Sequence, residues 1–225
     1  MLVSRTEAPV RQQTVNNLRN AIVEGRFKPG ERLLERELCN LTGVSRTSIR
    51  ESLRQLEAEG LIKVIPNKGP VVATVSVNEA RDLYEIRQVS EGLACRLFAE
   101  RAESSAVEAL AKTVELLEKA TSEGDMKNVM DTKNAFYEII LEGCGNALIR
   151  LFINSLHARI AVLRSMSLSH QGRALESLSE IKCILEAIQR RDPSAAWDAC
   201  VNHVNKAQSV AVQALRDTDN MKSSK

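Results

Sequence analysis

At 225 residues, with 44% of them apolar, the chain is long enough for one or two domains around a real core. No stretch approaches ~18 uninterrupted apolar residues, so no membrane span is expected. Aromatics at 3% argue against single-strand binding by base stacking, and the formal net charge of +2 conceals an uneven spread.

Residues 1–75 carry 12 Lys/Arg against 8 Asp/Glu, and residues 76–225 carry 19 against 21. A basic first third joined to a mildly acidic remainder fits a DNA-reading domain fused to one with another task. Five cysteines, at 39, 95, 144, 183 and 200, form no C-x-x-C pair, which disfavours a zinc knuckle or redox motif. Free thiols in a reducing cytoplasm are the plain expectation.

Met1 to Pro9 has no apolar h-region, so no secretory signal is expected, and residues 1–11 read as a flexible polar arm. A helix from about Thr14 to Glu24 buries Val15, Leu18 and Ile22. Gly25 and Pro29-Gly30 break it. Leu34, Leu38 and Leu41 then recur at helical spacing and predict a second helix with an apolar stripe. Gly43 ends it, Ser45 is an N-cap for the next helix, and Val44 with Ile49 sits where a hydrophobic staple would. Ile49, Leu53 and Leu56 make the buried stripe of that third helix. Arg46, Thr47, Arg50 and Arg54 fall on its other face. Leu61 to Ile65 and Val71 to Val75 read as strands around the turn Pro66-Asn67-Lys68-Gly69, a small hairpin.

Helix, tight turn, helix and hairpin form a winged helix-turn-helix. Such a unit sets its second helix in the major groove, N-terminal residues first. Arg46 and Arg50, one turn apart, are the candidates for base edges. Arg36, Thr47, Ser48 and Lys68 suit phosphates, and Gly69 lets the backbone of the wing approach closely.

After a linker at residues 76–78, everything reads as helix, roughly 79–101, 104–122, 126–143, 146–170, 174–190 and 193–216, with a disordered tail at 218–225. Pro193 after Asp192 is placed as a first helical residue. The expected architecture is mainly α: a winged helix at 1–75 followed by an antiparallel helical bundle at 79–217.

Two resemblances fit this frame. The run Glu-Arg-Glu-Leu, Gly-Val-Ser-Arg-Thr, Ile-Arg-Glu-Ser-Leu, Leu-Glu-Ala-Glu-Gly-Leu-Ile over roughly residues 12–73 resembles the winged helix of the GntR family of bacterial transcription regulators. That resemblance implies a homodimer reading a short palindromic operator on double-stranded DNA. Leu83-Tyr84-Glu85-Ile86-Arg87, Glu91-Gly92-Leu93-Ala94 and Ala99-Glu100-Arg101-Ala102 resemble the opening helix of the FCD effector domain of the FadR subgroup. Phe136, Gly145-Asn146, Leu185-Glu186-Ala187-Ile188 and His203 keep that register.

Many FCD domains hold a divalent metal with one Asp and three His. Here the matching positions are Lys133, Tyr137, Ile181 and His203. An ammonium and an isoleucine are not ligands for a divalent cation at neutral pH, so no metal or other cofactor is expected. Asp131, two residues away, would need a register slip. Lys133 and Tyr137 share a helix face, and Arg87 and His203 fall at pocket positions by the same resemblance. Lys133 and Arg87 would then meet an effector carboxylate directly, with Tyr137 and His203 as hydrogen-bond partners. A solvated Lys133, an Arg87 paired with Glu91 and an apolar pocket are the plainer alternative.

The resulting expectation is a cytoplasmic DNA-binding regulator, a repressor in most of the family, controlled by a small carboxylate. An acyl thioester-responsive regulator and an architectural DNA-binding protein without an effector are the alternatives. With three His, no nucleophile–base pairing and no cofactor loop, no catalytic residue is expected.

Overall fold

The computed structural model of the protein describes residues 7–223, and these form nine helices and one two-stranded sheet. The chain divides into two compact units. One joins the residues up to Val75 with Ser155–Val162, and the other joins Ser76–Asn154 with the residues from Leu163 onward.

The first unit opens with α1 (Glu7–Val23), then α2 (Glu35–Thr42), α3 (Arg46–Ala58), β1 (Ile62–Ile65) and β2 (Gly69–Val72). The expected arm is therefore shorter than 1–11. Helix begins at Glu7, and residues 1–6 lie outside the described ones. Pro9 is no obstacle, because N–H groups of a first turn have no helical acceptor. The core collects Val15, Leu18 and Ile22 of α1, Leu38 of α2, Ile49, Leu53 and Leu56 of α3, and Leu61, Ile62 and Val72 of the hairpin.

The predicted stripe of α2 is corrected. Leu38 is buried, but Leu41 is 72% exposed and Leu34 is the half-exposed N-cap. Eight residues make little more than two turns, so few positions can face the core. Leu33, in the extended segment before α2, is buried instead.

Gly43 ends α2 in the left-handed region (φ 71°), its N–H donating to Cys39 O. Ser45 caps α3, its Oγ accepting from the N–H of Ser48 at 3.2 Å. Arg19 forks onto Glu59 at 2.8 and 2.7 Å and ties α1 to the end of α3.

The strands pair antiparallel, from Ile62↔Val72 to Ile65↔Gly69. This sets β2 earlier than the predicted 71–75. On its other side β2 meets the segment before α2: Leu33 N–H donates to Pro70 O, and Val72 N–H to Glu31 O, both at 2.9 Å.

The second unit contains α4 (Val77–Arg101), α5 (Ser104–Glu123), α6 (Met126–Gly143), α7 (Ala147–Leu168, less the residues grouped with the first unit), α8 (Arg173–Gln189) and α9 (Pro193–Ser223). The expected linker at 76–78 is instead the start of α4. Ser76 is its N-cap and accepts from the N–H of Glu79 at 3.1 Å. Nor is 218–225 a disordered tail: α9 continues to Ser223, and residues 224–225 lie outside the described ones. Nothing in residues 216–223 breaks a helix, and Thr218 Oγ1 donates to Ala214 O at 2.8 Å. Pro193 opens α9 as expected, behind Asp192, whose Oδ1 accepts from the N–H of Ala195.

Two glycines permit close helix packing. A Cβ on Gly92 of α4 would touch Val201 and Trp197 of α9 at 3.0 and 3.2 Å. On Gly143 of α6 it would collide with the Phe98 ring, 2.8 Å from Cδ2. Phe98 is fully buried, so its ring has nowhere to retreat. Gly143→Ala should therefore cost about 1–3 kcal/mol by overpacking. A thermal melt unchanged from wild type would show that this contact gives way freely.

Candidate functional site

Two groups of side chains lie where binding chemistry is expected, one in each unit. In the first, α3 presents Arg46, Thr47 and Arg50 to solvent, and Arg36 on α2 is exposed too. Both α3 arginines lean on one carboxylate. Arg50 Nε reaches Glu35 Oε1 at 2.8 Å, and Arg46 Nε reaches Glu35 Oε2 at 3.5 Å. Hydrogen bonding to Glu35 raises the pKa of Arg50 further above its ordinary value. The Ser48 hydroxyl is half-buried against Ser45 Oγ at 3.0 Å, so it is less available than Thr47. Lys68 lies exposed at the hairpin tip, where its N–H donates to Ile65 O at 3.1 Å. The turn uses left-handed backbone at Asn67 (φ 64°) and Gly69 (φ 82°), with open space around Gly69.

The second group is buried in the helical unit. Tyr84, Arg87 and Glu91 share one face of α4 at spacings of three and four. Lys133, Phe136 and Tyr137 share a face of α6. Arg173, Ser177 and Glu180 do so on α8, His203 sits on the core face of α9, and Arg164 is on α7. All of these side chains are buried.

Arg87, 1% exposed, forks onto Glu91 at 2.7 and 3.2 Å and lies 4.8 Å from the Tyr84 ring centroid. Burial works against the charge of Arg87, but Glu91 outweighs it and raises the pKa. Burial likewise opposes the Glu91 carboxylate, and Arg87 prevails to hold its pKa down. Arg164 stacks 4.5 Å over Tyr137 and donates to Asn134 Oδ1. Burial pulls the Arg164 pKa down and keeps both tyrosines protonated, raising Tyr84 and, more strongly, Tyr137.

Arg173 forks onto Glu180 at 3.2 and 2.7 Å, and Glu180 also meets His203 Nδ1 at 2.6 Å. Burial would push the Glu180 carboxyl up, but the bonds from His203 and Arg173 win and lower it to about 2. Burial and the neighbouring Lys133 lower His203 to about 4, against the pull of Glu180. His203 is thus a neutral ring that donates Nδ1–H to Glu180.

Lys133, 3% exposed, donates to Ser177 Oγ at 2.5 Å. Burial, reinforced by Arg164, Arg173 and Arg87, drives its pKa well below the ordinary lysine value. The solvated Lys133 of the plainer alternative does not hold, whereas the Arg87–Glu91 pair does. The pairing leaves Arg87 unfinished: its Nη1 has no hydrogen-bond partner, and the same is true of Tyr84 OH, Tyr137 OH, Arg164 Nε and Arg173 Nε.

The family metal does not fit these side chains. Lys133 is a cation or a neutral amine engaged with Ser177, Ile181 has no donor atom and burial keeps the Tyr137 phenol protonated, so of the four matching positions His203 alone carries a ligating side chain. Asp131, the alternative by a register slip, faces solvent.

The four side chains expected at the effector site are therefore brought together. Sequence reasoning missed Tyr84, Arg164, Arg173 and Glu180. The available signal was charge in an apolar register: Arg173 and Glu180 repeat with Ile181 and Ile184 on the buried face of α8.

Comparison with known proteins places both units. Residues 10–72 match the bacterial regulatory proteins of the gntR family, and residues 82–206 match the FCD domain. The chain is 29% identical over 198 residues to an uncharacterized HTH-type transcriptional regulator, YdhC, of Bacillus subtilis, covering 88% of each. It is 27% identical over 208 residues to the HTH-type transcriptional repressor RspR of Escherichia coli, covering 92% of this chain and 91% of that one. Its fold is that of E. coli McbR/YncC, with a TM-score of 0.80 at 22% identity over 94% of this chain and 99% of the other.

Proposed function

This chain belongs to the GntR family of bacterial transcription regulators and carries an FCD domain, and from that premise we propose that it is a homodimeric repressor released from its operator by a small anionic metabolite. Both families and the named relatives are regulators, so the protein is a DNA-binding transcription factor and not an enzyme. Among the described residues no helix is long and apolar enough to cross a membrane.

The observation that carries the effector reading is the set of buried donors without acceptors. Leaving a buried polar group unpaired costs about 1–3 kcal/mol, more when it is charged. Five such atoms belong to two tyrosines and three arginines, and acceptor oxygens of an anionic ligand would satisfy them. A long acyl chain needs an apolar cavity, and nothing at this place favours one. An architectural protein has no use for the cluster. The winged helix would read a palindrome as one of a pair. Effector binding then shifts the balance between dimer forms that fit the operator and forms that do not.

The test is a melting-temperature screen of carboxylates, sugar acids and acyl thioesters with a chelator present throughout. A carboxylate that raises the melting temperature and weakens DNA binding is the expected result. Stabilisation by acyl thioesters alone, or a protein that melts early in chelator, would overturn the reading.

On DNA, Arg46 and Arg50 would exchange Glu35 for base edges, and Arg36, Thr47, Ser48, Lys68 and the Gly69 backbone would meet phosphates. Arg46→Ala and Arg50→Ala should each cost about 1–3 kcal/mol on a palindrome selected from random duplexes, and relax its sequence preference. Lys68→Ala should weaken all duplexes alike and lower the salt dependence by about one phosphate contact. Titration by fluorescence anisotropy at several salt concentrations separates the two behaviours. Wild-type affinity in both arginine variants would mean that α3 does not read the groove.

A further inference from the structure

The charges buried in the helical unit do not balance. Arg87, Lys133, Arg164 and Arg173 stand against Glu91 and Glu180, with His203 neutral. With Lys133 protonated, the core is two positive charges in excess. Of the surface charges that reach this group, Lys206 meets Glu180 at 3.5 Å and Glu176 meets Arg173 at 3.9 Å, but both are more than half exposed, so solvent screens them. Burying uncompensated charge is costly, and a core that keeps this much of it implies partners that arrive later.

The unfinished donors fall in two places. Around the two arginine–tyrosine stacks lie Tyr84 OH, Arg87 Nη1, Tyr137 OH and Arg164 Nε. The two arginines there each lie on a tyrosine ring, and the positive charge of Arg164 acts on Tyr84 and Glu91 as well as on Tyr137. Four donors match the roughly four lone-pair positions of one carboxylate. On the α8 side lies Arg173 Nε, and Lys133 Nζ, held by Ser177 of α8, is acted on by Arg87 and Arg164 of the first place and by Arg173 of the second.

We propose that the effector is a small dicarboxylate, one carboxylate seated among Tyr84, Arg87, Tyr137 and Arg164 and the other between Lys133 and Arg173. This rests on the reading of the same core as the effector site and adds the number and placement of the charges. In the free protein burial and the three arginines disfavour the Lys133 ammonium. The second carboxylate restores a counter-charge, so its binding favours the Lys133 ammonium. The charged and titratable groups acting on Lys133 are Arg87 of α4, Arg164 of α7, Arg173 and Glu180 of α8, and His203 of α9. Among them Lys133 is the base whose charged form burial and the surrounding arginines disfavour.

The experiment compares matched acids on the full-length protein, butyrate with succinate and lactate with malate, by calorimetry and melting temperature. The dicarboxylate of each pair should bind about tenfold or more tighter than its partner, since one further charged hydrogen-bonded contact is made. Titration in two buffers of different ionisation heat should show more proton uptake with the dicarboxylate than with its partner. Lys133→Met should reduce the preference within each pair to about twofold, lowering dicarboxylate affinity more than monocarboxylate affinity. The proton count needs no variant, so a Lys133→Met protein that fails to fold leaves the proposal testable.

Equal or tighter binding of monocarboxylates overturns the dicarboxylate and leaves the effector reading standing. So does binding of glycerol phosphate without either dicarboxylate, which would put both charges at one place. Binding of none of these anions, with wild-type and Arg87→Met proteins melting alike in all of them, overturns the effector reading itself.

Discussion

Glu91→Leu should destabilise the helical unit by about 3–5 kcal/mol, the usual consequence of stranding one member of a buried ion pair. Arg87 would keep its charge at 1% exposure, beside Arg164 and without its fork of 2.7 and 3.2 Å. The leucine fills nearly the same space, so the loss is electrostatic and not a cavity. The companion protein makes this explicit. Arg87→Met together with Glu91→Leu removes both charges and should recover most of the stability, because a well-packed apolar pair replaces a buried ion pair at little or no cost. The recovered protein should no longer respond to anionic ligands. Urea unfolding of the wild type, the two single variants and the double variant gives the coupling directly. Stability losses that simply add would mean that the pair does not act as one unit.

Acid should weaken the same unit over a defined range. His203 has its pKa lowered to about 4 from an ordinary 6.5, and is 1% exposed. The unfolded chain therefore takes up a proton at a pH where the folded one resists. The stability held by the neutral ring is complete above about pH 6.5 and drains away down to about pH 4. A shift of this size corresponds to roughly 3 kcal/mol over the whole window. Glu180, lowered to about 2 from 4.5, adds a second loss between about pH 4.5 and pH 2. Both effects have the same sign, so the acid limb should be steep. Melting temperatures across pH 7 to pH 4 test this, with His203→Gln as the comparison. The variant should be less stable at pH 7 and flatter through the upper window. A wild-type melting temperature constant from pH 6.5 to pH 4 would show that the ring is already charged or solvated.

Much of this architecture was legible because local signals agreed with each other. Ser45, Val44 and Ile49 gave the start of α3, and Gly43 the end of α2, from cap and staple chemistry alone. Lys133 and Tyr137 were legible as neighbours because residues four apart on a helix must be. Errors arose where a residue has two plausible surroundings. Leu34 and Leu41 fit an apolar stripe, yet α2 is too short to bury both and spends Leu34 as its N-cap. At the far end of the chain, a polar run after Leu215 reads as a tail, although nothing in it ends α9. Arg164 and Arg173 were missed for a related reason: long charged side chains on helices normally reach solvent, and only the packing of α4, α6, α8 and α9 around them reveals that they do not.

The two strands of the hairpin face different fates. β2 is covered on both sides, by β1 and by the segment ahead of α2, whereas β1 has no further strand beside it among the described residues. Val64 and Ile65 are exposed on it. An open edge with apolar side chains invites another chain to add a strand, the first step of aggregation. Here the edge is four residues long, carries Lys63 within it and ends at Pro66, which has no N–H to offer. Such an edge is too short, too charged and too abruptly stopped to seed growth, so a hairpin left without a covering strand is guarded against adding one.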